Sequence, residues 1–309
     1  MRAFVFPGQG AQTISMGKAL AEAYPAAQAV FEEVDDALGE SLSALIWDGD
    51  IETLTLTENA QPALMATSIA AMRALEAEGL GLDTAAYVAG HSLGEYSALC
   101  AAGAVKLDDT ARLLRRRGLA MQAAVPVGEG AMAAVLGLDL AAVTALAADA
   151  AEGEVCVAAN DNDPAQVVIS GHAGAVGRAV DMAKGRGAKR ALPLPVSAPF
   201  HSPLMAPAAE EMAEALASVE ISAPKVPLVA NVLASEVSDP AEIRKLLVEQ
   251  VTHSVRWRES VMWMADAGVT DIWEIGAGKA LCGMVRRIAK DVATRAVGTP
   301  DDVAAAVAG

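Results

Sequence analysis

Cysteine is scarce: Cys100, Cys156 and Cys282 are the only 3 in 309 residues. An odd number of widely spaced thiols gives neither a disulfide framework nor metal-ligand spacing, so a reducing compartment and no metal site are expected. Aromatic residues are few, at 4%, which leaves the core to Ala, Val, Leu, Ile and Met. No uninterrupted apolar run reaches the ~18 residues of a membrane span. The apolar start Ala3–Phe6 meets Pro7-Gly8 too soon to serve as a signal peptide. A cytoplasmic protein with no membrane partner is expected. Positive charge is also short: 23 Lys and Arg stand against 39 Asp and Glu, a formal net charge of -16. Such a field repels polyanions and argues against a nucleic-acid partner. An acidic protein partner would need a local basic surface. Arg115–Arg117, Lys184–Arg190 and Arg286–Lys290 are the candidates, each of which reads first as a solvated helix face.

Apolar residues are plentiful, at 53% against 20% charged. That composition packs one large domain, or a large domain carrying a smaller insert. Ala3–Phe6 reads as a buried strand, followed by the loop Pro7-Gly8-Gln9-Gly10. Helical spacing is clearest from Gln61 to Glu78, where Pro62 suits a first turn. A short strand at Ala85–Ala89 leads through Gly90 to a helix from about Gly94, and Leu107–Ala124 is helical. Alternating strands and helices predict an α/β, α/β-hydrolase-like large domain with a parallel sheet. After Pro126 the order changes to strand Ala131–Leu138, helix Ala141–Ala151, strands Val155–Ala159 and Gln166–Ser170, helix Ala173–Lys184 and a proline-interrupted strand Arg190–Val196. This β-α-β-β-α-β order predicts an inserted ferredoxin-like small domain at 127–198, between large-domain segments 1–126 and 199–309. Strands at Pro227–Ala230 and Asp271–Ile275 follow, with helices near Pro207–Ser218, Ala241–Val251, Arg256–Ala267, Lys279–Lys290 and Asp302–Ala308.

Gly90-His91-Ser92-Leu93-Gly94 has the form G-x-S-x-G between a buried strand and a helix. In that setting the serine sits on a tight turn, its hydroxyl is exposed at a helix N-terminus, and the Leu93 N–H can point at an oxyanion. The bland alternative is a glycine-rich turn with a capping serine. A serine nucleophile needs a base, and the chain has 4 histidines. His91 adjoins Ser92, and neighbouring side chains on such a turn diverge. His172 follows Gly171 at a strand end, and His253 lies near a helix end where its charge would suit the dipole. His201 sits in a proline-stiffened loop where the insert rejoins the large domain, a usual place for a cleft. Elimination favours His201 without excluding His172 or His253. Two weaker patterns fail. Gly8-Gln9-Gly10 meets Thr13 where a dinucleotide fingerprint needs glycine. Around Gly276-Ala277-Gly278-Lys279, Trp273 and Ala280 stand where a phosphate loop needs Gly and Ser/Thr.

Three segments together resemble the malonyl-CoA–acyl carrier protein transacylases of fatty acid synthesis: Phe4-Val5-Phe6-Pro7-Gly8-Gln9-Gly10-Ala11-Gln12, Gly90-His91-Ser92-Leu93-Gly94-Glu95-Tyr96 and Ser197-Ala198-Pro199-Phe200-His201-Ser202. Arg117-Gly118 with Met121-Gln122, and Gln166-Val167-Val168-Ile169-Ser170-Gly171, extend the likeness in the family's order over nearly the whole chain. The resemblance implies a Ser92–His201 dyad, with the Gln250 carbonyl orienting the histidine and the N–H groups of Gln9 and Leu93 as oxyanion hole. It implies that Arg117 grips the free carboxylate of a malonyl group, a task suited to a bidentate guanidinium; spacing alone reads Arg117 as an exposed helix residue. Phe200 would narrow the acyl pocket, and Gln166, Lys189 and Arg190 would line the mouth. The implied substrate is malonyl-CoA, the partner acyl carrier protein, with no bound cofactor. The rival readings are an esterase, whose acyl-enzyme water would empty, a non-catalytic carrier-docking module, and an acyltransferase serving a polyketide synthase.

Overall fold

The computed structural model describes residues 1–196 and 198–309; Ser197, part of one family-like segment, lies outside the described residues. Among them, ten strands form two sheets: β1 (Arg2–Phe6), β2 (Tyr87–Gly90), β3 (Gly130–Leu136), β4 (Cys156–Asp163), β5 (Gln166–His172), β6 (Arg190–Pro193), β7 (Leu228–Val229), β8 (Glu236–Val237), β9 (Asp271–Ile275) and β10 (Ala293–Val297). The large sheet has the order β10-β9-β1-β2-β7-β8. Its first five strands are parallel and β8 is antiparallel to β7. Strand β1 is buried on both faces, as a central parallel strand must be. Phe4 and Phe6 join the core shared with the Thr57–Ala77 and Leu107–Ala123 helices, whereas Ala3 and Val5 pack with Trp257, Val261 and Leu281 on the opposite face.

The small sheet is antiparallel in the order β4-β5-β3-β6, the ferredoxin-like arrangement. Its side chains alternate along β3. Ala133 and Val135 face the Leu140–Ala151 and Ala173–Ala183 helices, while Met132 and Ala134 face the large-domain core. This second face puts the small sheet over the end of β2. Strand β4 ties the two units: Val255 N–H donates to the Ala159 carbonyl and Asp161 N–H to the Val255 carbonyl, both at 2.9 Å. Asp161 meets Arg258 at 2.9 Å and Asp163 meets Arg287 at 2.7 Å. No helix among the described residues is long and apolar enough to cross a membrane.

Four expectations need correction. The long helix starts at Thr57, so Pro62 lies inside it. Proline removes one backbone donor there, but nearly every residue from Ala60 to Leu75 is buried, and tertiary packing overrides local propensity. Strand β6 ends at Pro193, where the missing backbone donor falls at the end of an edge strand, which tolerates it. Strands β8 and β10 were not expected. The Arg115–Arg117 run is only in part a solvated face: Arg116 pairs with Glu211 at the surface, Arg115 pairs with Glu40 and is half-buried, and Arg117 is 1% exposed.

Burial raises the Asp161 carboxyl above its ordinary range even with Arg258 beside it. Removing that cation strands a buried charge. Arg258→Met is expected to lower unfolding free energy by about 1–3 kcal/mol. Adding Asp161→Asn should restore part of the loss, a non-additivity that urea denaturation of both singles and the double variant would register.

Candidate active site

Between β2 and the Gly94–Ala101 helix the chain reverses at Ser92, which has φ 53°. Close approach enforces the turn. A Cβ on Gly90 would lie 1.9 Å from Gly94 carbonyl atoms, and one on Gly94 2.2 Å from the Phe6 oxygen, so no larger residue fits either place. Strain in a non-glycine residue persists only where surroundings over-determine it. Asn231, fully buried after β7, supplies that support. Its Oδ1 accepts the Ser92 N–H at 2.8 Å, and its Nδ2 donates to the Gly90 carbonyl at 2.6 Å.

Ser92 Oγ lies 2.8 Å from His201 Nε2, and His201 Nδ1 lies 2.8 Å from the Gln250 backbone carbonyl. A carbonyl only accepts, so Nδ1 carries the proton and Nε2 offers its lone pair to the serine hydroxyl. Burial first, and the Arg117 cation second, push the imidazole down from 6.5 to about 3. It is therefore neutral, in the form of a base, at any ordinary working pH. Among the described residues no carboxylate bonds to this ring, so the arrangement is a dyad. The other histidines are engaged elsewhere: His91 Nε2 with Asn162 Oδ1 at 2.8 Å, His172 Nδ1 with the Val155 N–H at 2.9 Å, and His253 Nδ1 with the Glu249 carbonyl at 2.9 Å.

Arg117 enters from the Leu107–Ala123 helix. Thr110, Leu114, Arg117 and Met121 follow one another at helical spacing and all are buried, so the arginine lies on the inward stripe. Gly118 lets this helix close on Glu58, whose Cα would stand 2.5 Å from an added Cβ. Arg117 Nη1 donates to Gln61 Oε1 at 2.8 Å; Nη2 donates to Gln250 Oε1 at 2.8 Å and to Ser92 Oγ at 3.2 Å. The guanidinium also sits 5.5 Å from the Tyr96 ring centre.

A cavity of about 230 Å³ opens over Ser92, and Gln9, Leu93, Arg117, Met132 and Phe200 line it. The N–H groups of Gln9 and Leu93 donate to no acceptor among the described residues. Gln166, Lys189 and Arg190 gather instead at the far end of the small sheet. Gln166 and Arg190 flank Leu136, and the Lys189 N–H donates to the Leu136 carbonyl at 2.8 Å. None of these three lines the cavity. Sequence reasoning missed Gln61, Asn231 and the part played by Glu95. Glu95 carried a signal, as a carboxylate in a helix of otherwise small or apolar residues; Asn231 carried none. Among the described residues, no three His, Cys, Asp or Glu side chains are grouped to hold a metal ion.

A serine on a strained strand-to-helix turn, a neutral histidine and two free backbone donors form the apparatus of acyl transfer through an ester. Residues 3–299 match the acyl transferase domain model, and the chain belongs to that family. Within it, a Bacillus subtilis (strain 168) protein named malonyl CoA-acyl carrier protein transacylase is 48% identical over 306 residues, 99% of this chain and 96% of its own length. The crystal structure of an acyl-carrier-protein-S-malonyltransferase from Bartonella henselae superposes with a TM-score of 0.97 at 57% identity, covering 99% of this chain and 98% of that one. A malonyl-transacylase solved in complex with a type II PKS acyl-carrier protein superposes with a TM-score of 0.96 at 42% identity, covering 99% of both chains.

The depressed His201 titration has a consequence for stability. The unfolded chain takes up this proton at the ordinary 6.5, whereas the folded chain resists until about 3. The stabilisation is complete above 6.5 and is lost as pH falls between those values. Against His201→Gln, the native chain should lose roughly 1.4 kcal/mol per pH unit over that window. Parallel curves of unfolding free energy against pH for the two proteins would refute this.

Proposed function

We propose that this chain transfers a malonyl group from malonyl-CoA to the phosphopantetheine thiol of an acyl carrier protein, through a malonyl ester on Ser92. The observation that carries the reading is the buried Arg117 guanidinium, 3.2 Å from Ser92 Oγ in the same cavity. An acyl group esterified there and ending in a carboxylate meets a cation within bonding reach; one ending in a methyl group offers the guanidinium no acceptor. His201 takes the Ser92 proton as Oγ attacks the thioester carbonyl. The oxyanion is held by the N–H groups of Gln9 and Leu93. Collapse releases the coenzyme A thiolate, which recovers the proton from His201. The carrier thiol then repeats the sequence in reverse, and no resident cofactor is required. Phe200 narrows the acyl end of the pocket. The exposed Lys189 and Arg190, with Gln166, offer charge and hydrogen bonds to the phosphates and carrier outside it.

We assign the activity to fatty acid biosynthesis in the cytoplasm. The Bacillus subtilis relative carries the general transacylase name, and polyketide service is the weaker reading, although one relative was solved with such a carrier. We also read 127–198 as the inserted small domain and 1–126 with 199–309 as the large one.

Intact mass spectrometry after mixing with malonyl-CoA should show one added malonyl group, mapped to Ser92 and discharged by holo acyl carrier protein. Rapid loss to water with no transfer would mark an esterase, and no adduct at all a docking module. Arg117→Ala should cut malonyl transfer by roughly thirty- to several-thousand-fold, the ~2–5 kcal/mol typical of breaking such a pair, while acetyl transfer falls little or rises. Arg117→Lys should recover only part, because an ammonium cannot form two parallel bonds. Equal losses of kcat/KM on malonyl-CoA and acetyl-CoA would instead give Arg117 a structural role.

A further inference from the structure

Most buried charges in the molecule have direct partners. Asp161 and Asp163 have arginines, and Glu274 accepts the N–H groups of Leu281 and Cys282 at a helix start. Arg117 and Glu95 do not. Arg117 is 1% exposed, and its acceptors among the described residues are neutral: Gln61, Gln250 and Ser92. Its Nε has no hydrogen-bond partner among the described residues. Glu95, also 1% exposed, accepts at Oε2 from the Asn231 N–H at 3.0 Å and from Gln250 Nε2 at 2.9 Å. A buried cation and a buried carboxyl thus lie on the two ends of one amide. Gln250 Oε1 faces the arginine and Gln250 Nε2 faces the glutamate. Each charge is costly alone in such a setting, and each is the other's nearest compensation along the hydrogen bonds.

We propose that Glu95 is the internal counter-ion of Arg117, coupled to it through the Gln250 side chain, and that loading a malonyl group draws a proton from solvent onto Glu95. The inference rests on the malonyl reading of the site. Between turnovers, ionised Glu95 balances Arg117. The malonyl carboxylate brings a second anion to the same cation, leaving one negative charge in excess, and protonation of Glu95 removes it. An acetyl group brings no charge and leaves the original balance intact. Burial already raises the Glu95 carboxyl from 4.5 to about 7, against the lowering by its two hydrogen bonds and by Arg117. A second anion nearby moves it further in the same direction. The groups facing Glu95 are few. Arg117 comes from the Leu107–Ala123 helix and Tyr96 is its neighbour on its own helix; the phenol is itself pushed up to about 12. Asn231 and Gln250 do not titrate, and His201, beyond Gln250, is neutral. Glu95 is therefore a positioning residue, acting on the substrate through Gln250 and Arg117.

Where Glu95 is protonated, the empty site carries a net positive charge that malonyl cancels and acetyl leaves unpaired. Where it is ionised, malonyl makes the site negative and acetyl leaves it neutral. The preference for malonyl over acetyl should fall as pH rises through the titration of Glu95. A one-unit difference in that titration between the two loaded forms makes the fall about tenfold. Glu95→Gln keeps an oxygen for the same two N–H donors but cannot ionise.

The test is kcat/KM for malonyl-CoA and acetyl-CoA across the titration range in the native protein and in Glu95→Gln, with proton uptake on loading followed by an indicator dye in weak buffer. Coenzyme A thiol is released in both loadings, so the malonyl-minus-acetyl difference isolates Glu95. The native protein should show the falling ratio and a fractional proton taken up, and the variant a flat ratio at the high value and no extra proton. A flat ratio or zero proton difference in the native protein overturns the proposal, whether or not the variant folds. So does a variant that keeps the native pH dependence. Failure of malonyl-CoA to load Ser92 at all would overturn the function itself; loading with a flat ratio overturns only the role of Glu95.

Discussion

Strand β2 runs into the following helix so tightly that an added Cβ on Gly90 would stand 1.9 Å from Gly94. That approach leaves Ser92 at φ 53° with its hydroxyl facing the cavity. It also leaves the Leu93 N–H without an acceptor among the described residues, because the turn consumes the neighbouring donors: Gly94 bonds back to His91 and Glu95 to Ser92. The turn cannot hold itself. Asn231, more than a hundred residues away in sequence, ties its two arms from the neighbouring strand, and the parallel pairing of β2 with β7 brings it there.

The second constraint is buried charge. Arg117 and Glu95 are both buried, and the Gln250 amide between them has only one orientation that serves both: oxygen to the cation, nitrogen to the carboxyl. The small domain closes the same space from above. Along β4, Asn160 lines the cavity and Asn162 holds His91, while Asp161 and Asp163 pair with large-domain arginines. One strand thus both furnishes the cleft and fastens its roof, and the pleat sends successive side chains to the two tasks.

Much of this was legible in the sequence because it is local. The G-x-S-x-G turn, the β-α-β-β-α-β order and the prolines around His201 are each carried by residues close together in the chain. The misplaced helix start at Gln61 and the short strands β8 and β10 reflect tertiary contacts overriding local preference. Arg117 lay between the two cases. Spacing alone reads it as an exposed helix residue, and only the resemblance singled it out; its burial shows once Gln61 and Gln250 are seen to receive it. Asn231 left no trace, since its role exists only once two distant strands are paired.

The support behind His201 is a backbone carbonyl, that of Gln250. A triad acid can be erased by one codon change, but a peptide oxygen survives every substitution at its position other than those that move the chain. The contact to the His201 ring is thereby insulated from drift at residue 250, whereas the side chain there, bonded to Arg117, Glu95 and the Ser92 carbonyl, is exposed to it. One residue thus holds the imidazole through an atom that substitution cannot remove and the neighbouring charges through atoms that it can.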